Sequence, residues 1–233
     1  SEILVRTDCI RSILHSGGEI GLIHKQHGIW VVNMAYKERY HWYKSPSTNS
    51  RNGRIISVPY GADEFHVESC DLRFADVMLE IYRPYVEKTA VSFELEAPTE
   101  DEFTERVRRG LKSPYPWLLA CVGNRLVGYA HAQAFHPHAA YARSVETTIY
   151  IAQEERRKGY GQRLYTVLEA ELRKRGYSNV YACIAYSARR DPYLTTASVR
   201  FHARLGYTRM ARFVDCAEKF GRLYSMIWMG KRL

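Results

Sequence analysis

Apolar residues recur at three- and four-residue intervals in four stretches of the chain, a spacing typical of amphipathic helices. The second stretch begins after Thr99, which is placed to form a capping box with Glu102. The third and fourth stretches end at Gly176 and Gly206, as helices often do. The four predicted helices cover Leu72–Val86, Phe103–Leu111, Leu164–Leu172 and residues 195–205.

Runs of apolar and β-branched residues between these helices predict strands. The runs at 117–122 and 126–135 are joined by the tight turn Gly123-Asn124, which indicates an antiparallel hairpin. Further strands are predicted at 144–151, at 178–186, and around 208–214 and 223–229. This order of elements predicts an α+β domain over residues 67–233, with one mixed central sheet flanked by helices.

Residues 1–66 differ in pattern and are predicted to form a small β-rich N-terminal module of unknown family, with strand-like runs at 28–36 and 54–60. Eight Lys and Arg against six Asp and Glu give this segment a charge of only +2. Aromatic residues alternate with cations at 36–44, an arrangement that can stack on and neutralise single-stranded nucleic acid. The low net charge favours ordinary packing of these aromatic residues over nucleic-acid binding.

The composition, with 46% hydrophobic and 25% charged residues, is that of a globular protein. The sequence shows neither a run of 18 apolar residues nor a signal sequence, so we expect a soluble cytoplasmic protein without a membrane partner. Its formal charge of +9 indicates an anionic partner. Five cysteines without a C-x-x-C pair, and histidines without partners at ligand spacing, predict reduced thiols and no metal site.

A basic, glycine-containing turn follows the strand predicted at 144–151. The turn consists of Arg156, Arg157, Lys158, Gly159, Tyr160, Gly161 and Gln162. Backbone N–H groups at the start of a helix bind anions, and glycines let the main chain approach a phosphate closely. The motif is neither a Walker A loop nor a dinucleotide-binding fingerprint. By itself it suits a glycine-capped turn with solvated cations equally well.

Five blocks of sequence, in order, carry a resemblance to a known family: residues 81–103, 115–132, 139–151, 156–165 and 200–213. The R-x-x-G-x-G turn between a strand and a helix resembles the acyl-CoA pyrophosphate loop of the GNAT acetyltransferase superfamily. Together the blocks are similar to its phosphinothricin acetyltransferase group, over residues 67–233. The resemblance implies a GNAT fold, acetyl-CoA as co-substrate and acyl transfer to an amine.

The resemblance also implies where acetyl-CoA would bind. The pyrophosphate would lie on residues 156–162, and a main-chain N–H near Thr148 or Ile149 would polarise the thioester carbonyl. The expected contacts to the pantetheine arm are the backbone groups of Ile149, Tyr150 and Ile151. The group commonly has Asn where this chain has Thr195, in a run that continues to Ser198. The Thr195 hydroxyl retains one hydrogen bond for the cofactor.

An amine must lose a proton before it attacks a thioester, which costs about 4 kcal/mol at neutral pH for a lysine-like amine. A carboxylate acting as general base lowers this obstacle. Glu146 matches the glutamate of the group's V-E-[ST]-T block, its catalytic base, and strand alternation places it on one face with Thr148 and Tyr150. A surface ion pair is the alternative interpretation of this glutamate.

His202 is the second catalytic candidate, because it matches a histidine that the group carries near the amine site and because imidazole suits proton relay. Its spacing from neighbouring apolar residues equally suits a packed helix position. The candidate walls of the amine pocket are Phe93, Tyr129, His138 and Tyr141. The three aromatic residues among them suit ordinary core packing nearly as well.

The chain departs from the group in a segment that we associate with an arginine for the anionic end of phosphinothricin. Here that segment reads Phe135-His136-Pro137-His138. A neutral imidazole is a poorer partner for a phosphinate than a guanidinium is. We therefore expect N-acetylation of a small primary amine such as an amino-acid analogue, by direct attack from a ternary complex, with phosphinothricin a less suitable acceptor.

Alternatives from other classes stay open. The protein could sense acyl-CoA without catalysis, or bind nucleic acid with its basic surface. It could also acetylate protein or peptide amines, with residues 1–66 positioning the target. The sequence leaves a homodimer open as well.

Overall fold

The computed structural model describes residues 2–5, 23–26, 29–33 and 64–233. Its first three segments are strands β1 (Glu2–Val5), β2 (Ile23–Gln26) and β3 (Ile29–Asn33), which form an antiparallel sheet in the order β1-β3-β2. Strand β3 lies within the predicted strand at 28–36. The strand predicted at 54–60 and the aromatic and basic segment at 36–44 lie outside the described residues.

Residues 64–233 are built around a seven-stranded sheet in the order β4-β5-β6-β7-β8-β10-β9. Its strands are β4 (Phe65–Ser69), β5 (Trp117–Val122), β6 (Arg125–Ala134), β7 (Ser144–Ile151), β8 (Asn179–Tyr186), β9 (Thr208–Lys219) and β10 (Arg222–Arg232). Neighbouring strands are antiparallel except for β7 and β8, which are parallel. The predicted mixed α+β architecture is confirmed, and its first strand starts at Phe65, two residues before the predicted start of the domain.

Four helices cover the two faces of this sheet: α1 (Ala75–Glu87), α2 (Glu100–Leu111), α3 (Tyr160–Lys174) and α4 (Ala197–Arg204). Helices α1 and α2 bury their apolar stripes on one face, whereas α3 and α4 pack on the other. The predicted capping box is present: the Glu102 carboxylate accepts from Thr99 N–H at 2.8 Å, and the Thr99 hydroxyl accepts from Glu102 N–H at 3.3 Å. None of the described helices combines the length and apolarity needed to cross a bilayer.

Candidate active site

The parallel strands β7 and β8 separate halfway along their length. They pair only from Ser144 opposite Asn179 to Glu146 opposite Tyr181, although both strands continue beyond that point. On its other side β7 stays paired with β6 as far as Ile151. The edge of β7 beyond Glu146 therefore carries backbone groups that β8 does not bond, as the predicted contacts to pantetheine require.

A chain of buried polar side chains closes the foot of this cleft. Thr147 places its hydroxyl oxygen 3.0 Å from the carbonyl oxygen of Tyr181 and 2.6 Å from the hydroxyl of Tyr165. That hydroxyl lies 3.2 Å from Nε2 of His202. This series of hydrogen bonds links α4 and α3 to β7, so it fixes the point at which the two strands part.

The direction of each hydrogen bond in this network limits what His202 can do. Carbonyl oxygens only accept, so Nδ1 of His202 donates to Ser198 O at 2.8 Å, and Thr147 donates to Tyr181 O. One hydroxyl proton, on Tyr165, is then shared between its contacts to Thr147 and to Nε2. Burial lowers the pKa of His202 to about 4, so the ring is neutral at neutral pH. The ring is 3% exposed and bonds the strand foot rather than the Glu146 carboxylate.

The basic turn has the backbone of an anion site. Gly159 has φ +85° and precedes α3 as its N-cap, and an added Cβ there would meet no atom within 4 Å, so the dihedral rather than space calls for glycine. The first helical bond runs from Arg163 N to Gly159 O, at 3.2 Å. By helix geometry the N–H groups of Tyr160, Gly161 and Gln162 lie in the first turn, where no carbonyl of the helix can accept from them.

The cations of this turn brace it from within. Lys158 donates to Glu155 at 2.9 Å, and Arg125 from the β5–β6 hairpin donates to the same carboxylate at 2.7 Å. These hydrogen bonds, that of Lys158 first, hold the pKa of Glu155 below its ordinary value. Arg156 donates to Gln153 at 2.9 Å. Sequence reasoning missed Glu155, whose only signal was its three-residue spacing from a lysine.

Glu146 lies on the face of the sheet that α1 and α2 cover. Tyr150, four residues further along β7, packs against the core cluster of α1 and α2. Val145 belongs instead to the core cluster on the opposite face of the sheet. The predicted sharing of one face is therefore confirmed for this strand. The half-buried Glu146 accepts a hydrogen bond from Nε2 of Gln133, its partner on β6, at 3.0 Å.

A cavity of about 580 Å³ opens between α1, α2 and the same face of the sheet. Its lining includes the predicted wall residue Tyr129, together with Gln133 and Thr148. Arg106 and Glu94, which also line it, form an ion pair at 2.8 Å. Gln133 thus connects the cavity to Glu146. Sequence reasoning missed Gln133, although its alternation with Tyr129 along the strand was a usable signal.

The other predicted wall residues lie elsewhere. Phe93 packs against Tyr224, with ring centroids 6.3 Å apart, in a separate small core cluster. His138 and Tyr141 follow β6 in an exposed segment, where His136 contacts both rings. The structure therefore brings only Tyr129 of the four into the cavity.

The two residues predicted near the cofactor, Thr195 and Ser198, form local hydrogen bonds around the start of α4. Thr195 accepts a hydrogen bond from Ala197 N at 3.3 Å, just before α4. Ser198, in the first turn of that helix, receives Nδ1 of His202 on its carbonyl. Both residues remain predictions as cofactor contacts.

A mixed cluster lies on β4 and β5: ligand atoms of His66, Glu68 and Cys121 are within 4.8 Å of one another. The Cys121 thiol lies 3.6 Å from Oε1 of Glu68, to which it donates. Burial, with the nearby Glu68 charge, raises the pKa of this thiol well above its ordinary value. The cluster is thus paired internally through a protonated thiol, and the absence of a metal site stays a prediction.

Comparisons with known proteins agree with this geometry. Residues 71–228 match the family model described as an acetyltransferase (GNAT) domain. A phosphinothricin N-acetyltransferase of Streptomyces viridochromogenes is 36% identical over 142 residues, which are 61% of this chain and 73% of that protein. An L-methionine sulfoximine/L-methionine sulfone acetyltransferase of Pseudomonas aeruginosa is 28% identical over 128 residues, 54% of this chain and 68% of that protein.

Among solved structures, a phosphinothricin acetyltransferase of Sinorhizobium meliloti in complex with acetyl-CoA is 26% identical, with a TM-score of 0.66. The match covers 72% of this chain and 88% of that one. The family match spans well over half of the chain, in the region that holds the cleft, the turn and the cavity. The chain therefore belongs to the GNAT acetyltransferase family, in its phosphinothricin acetyltransferase-like group.

Proposed function

We propose that this enzyme transfers the acetyl group of acetyl-CoA to the primary amine of a small molecule, with Glu146 as general base. The observation that carries the proposal is the position of Glu146. It is the last residue at which β7 and β8 still pair, so it stands at the foot of the cleft, where the two strands part. Its hydrogen bond to Gln133, which lines the cavity, supports access of a small amine to the carboxylate.

The residues present suit acetyl-CoA. The N–H groups of Tyr160, Gly161 and Gln162 would receive the pyrophosphate at the positive end of the α3 dipole. The unpaired edge of β7 from Thr148 to Ile151 would bond the amides of the pantetheine arm. The cofactor supplies an acyl group activated as a thioester, and the protein supplies its orientation beside Glu146.

Direct attack by the amine fits the state of the thiols better than an acyl-enzyme does. Cys183, on β8 near Glu146, has its pKa raised to about 12 by desolvation and by the charge of that glutamate. A thiol nucleophile acts as thiolate, which this environment suppresses. Glu146 instead accepts one proton of the ammonium, directly or through water, and the neutral nitrogen then attacks the thioester carbon. As the C–S bond breaks, the CoA thiolate leaves and takes up the second proton that the nitrogen loses.

We assign His202 a positioning role. Its link to Tyr165 and Thr147 holds the foot of the cleft, which orients Glu146 on the adjacent strand position. His202→Gln is then expected to lower kcat and to leave the pH of half-maximal rate unchanged. A proton relay through the imidazole would instead move that pH.

The test is release of free CoA over a panel of amino-acid analogues, polyamines, aminoglycosides and peptides. With the best acceptor, we expect Glu146→Gln to lower kcat about 10²–10⁴-fold, the contribution typical of a general base. The KM for acetyl-CoA should stay the same. Glu154→Gln, an exposed glutamate before the basic turn, is the matched control. Unchanged turnover in Glu146→Gln would refute the assignment of the base.

A further inference from the structure

An aromatic cluster lies next to the proposed base. Phe135, two residues beyond Gln133 on the same chain segment, packs against Tyr181 with ring centroids 4.4 Å apart and the rings tilted by 32°. Tyr181 is the β8 partner of Glu146, so the two side chains lie on the same face of the sheet. Trp228 meets Phe135 edge-on at 5.5 Å, and Tyr141 lies 5.9 Å from it.

The four residues of this cluster keep part of their surface exposed. Phe135, Tyr181 and Trp228 are only partly buried, and Tyr141 is 42% exposed. The chain keeps room for Tyr181 with a glycine: a Cβ on Gly230 would lie 2.9 Å from the tyrosine ring. The exposed parts of these side chains are therefore held in place by neighbouring packing, and a ligand can contact them.

The rings of the cluster offer an anionic acceptor no stacked cation. Over residues 64–233, no Lys or Arg stacks on Phe135, Tyr141, Tyr181 or Trp228. The nearest arginine in sequence, Arg143, donates instead to the carbonyl of Gly176 at 3.3 Å. A phosphinate or sulfonate side chain would thus leave water without gaining a guanidinium partner.

We propose that these four rings are the acceptor subsite and that they select an arylalkylamine. This inference rests on the proposed function, because the Glu146 carboxylate defines where the amine must lie. Aromatic rings prefer offset-stacked or edge-to-face partners, and the half-exposed rings offer both. An aryl group would also bury apolar area on these rings, whereas a second ammonium would gain only a weak cation–π contact at an exposed site, while losing part of its hydration.

The experiment compares kcat/KM for four acceptors: 2-phenylethylamine, n-butylamine, 1,4-diaminobutane and phosphinothricin. We expect 2-phenylethylamine to exceed each of the others at least tenfold. Phe135→Leu and Tyr181→Leu should each lower the ratio of phenylethylamine to butylamine about tenfold, chiefly through KM for the aryl amine. Tyr193→Leu is the matched control, because Tyr193 stacks on Phe220 in a different aromatic pair, and its ratio should not change.

Preference for phosphinothricin or the diamine would overturn the subsite and leave the proposed function standing. So would an equal loss for all amines in the two leucine variants, since that is the result of a structural role alone. If none of the four amines releases CoA, binding decides. Calorimetry should then show 2-phenylethylamine bound about tenfold more weakly by Phe135→Leu than by the unaltered protein, and equal or absent binding refutes the subsite.

Discussion

The ammonium of Lys219, at the end of β9, donates to the carbonyl oxygen of Val86 in the last turn of α1, at 2.7 Å. The same nitrogen donates to the carbonyls of Ser92 and Glu94, at 2.7 and 2.6 Å. Lys219 is 3% exposed, and burial lowers its pKa. One buried lysine thus joins the last hairpin to the loop that brings Glu94 into the cavity.

Lys219→Met should therefore destabilise the protein strongly. Methionine fills a similar volume but leaves three carbonyl acceptors without their donor. Each buried acceptor that loses its hydrogen bond costs roughly 1–3 kcal/mol. We expect a loss of about 3 kcal/mol or more in the free energy of unfolding, measured in urea. Amide exchange over residues 88–98 should also quicken. Lys174→Met, whose side chain is 79% exposed, is the control and should stay within about 0.5 kcal/mol.

The buried histidines should make stability fall in mild acid. Burial lowers the pKa of both His131 and His202 to about 4, whereas an unfolded histidine titrates near 6.5. Between these pH values the unfolded chain binds more protons than the folded one. The contribution of the two rings to the free energy of unfolding is therefore fully present above pH 6.5 and is lost as the pH falls to about 4. Each ring contributes roughly 3 kcal/mol to this loss.

Urea unfolding at several pH values measures this effect. The difference between the unaltered protein and His202→Gln isolates one ring and should shrink by about 3 kcal/mol from pH 7 to pH 4. His136→Gln removes an exposed histidine and is the control. A pH-independent difference for His202→Gln would mean that the ring is protonated equally in both states.

Binding of CoA at the basic turn should depend on Glu155, although this residue lies before the turn. Glu155→Gln removes the charge that Lys158 and Arg125 share, so the turn loses its brace to the β5–β6 hairpin. We expect the Kd of CoA to rise about tenfold, with the effects of Arg125→Met and Glu155→Gln less than additive because they act on one pair. The exposed Glu154→Gln serves as control. Additive effects would show that the two residues act separately.

A side chain at Gly159 should destabilise the protein, although space is free around this residue. At φ +85° an L-residue is strained, so Gly159→Ala should cost about 1–2 kcal/mol of stability. Gly161→Ala is the comparison, because its Cβ would make ordinary contacts at 3.4–3.7 Å without a positive φ. A thermal scan of both variants measures the difference. Equal stability would refute the conformational explanation.

Local features of the fold could be predicted because their causes are local. The strand predicted at 144–151 is β7, and the capping box at Thr99 depends on residues three positions apart. Gly176 and Gly206 end their segments with φ +87° and +88°, a backbone that glycine alone adopts without strain. Strand alternation likewise placed Glu146 and Tyr150 on one face.

The sequence by itself determined the order of elements, the basic turn and the family resemblance, since each is written in neighbouring residues or short motifs. Only the tertiary structure decided the partners of those residues. Arg125 meets Glu155, His202 lies in the core, and Phe135 packs against Tyr181, which lies 46 residues away in the chain. Side-chain pairing across a sheet depends on register and crossover, which no local pattern contains.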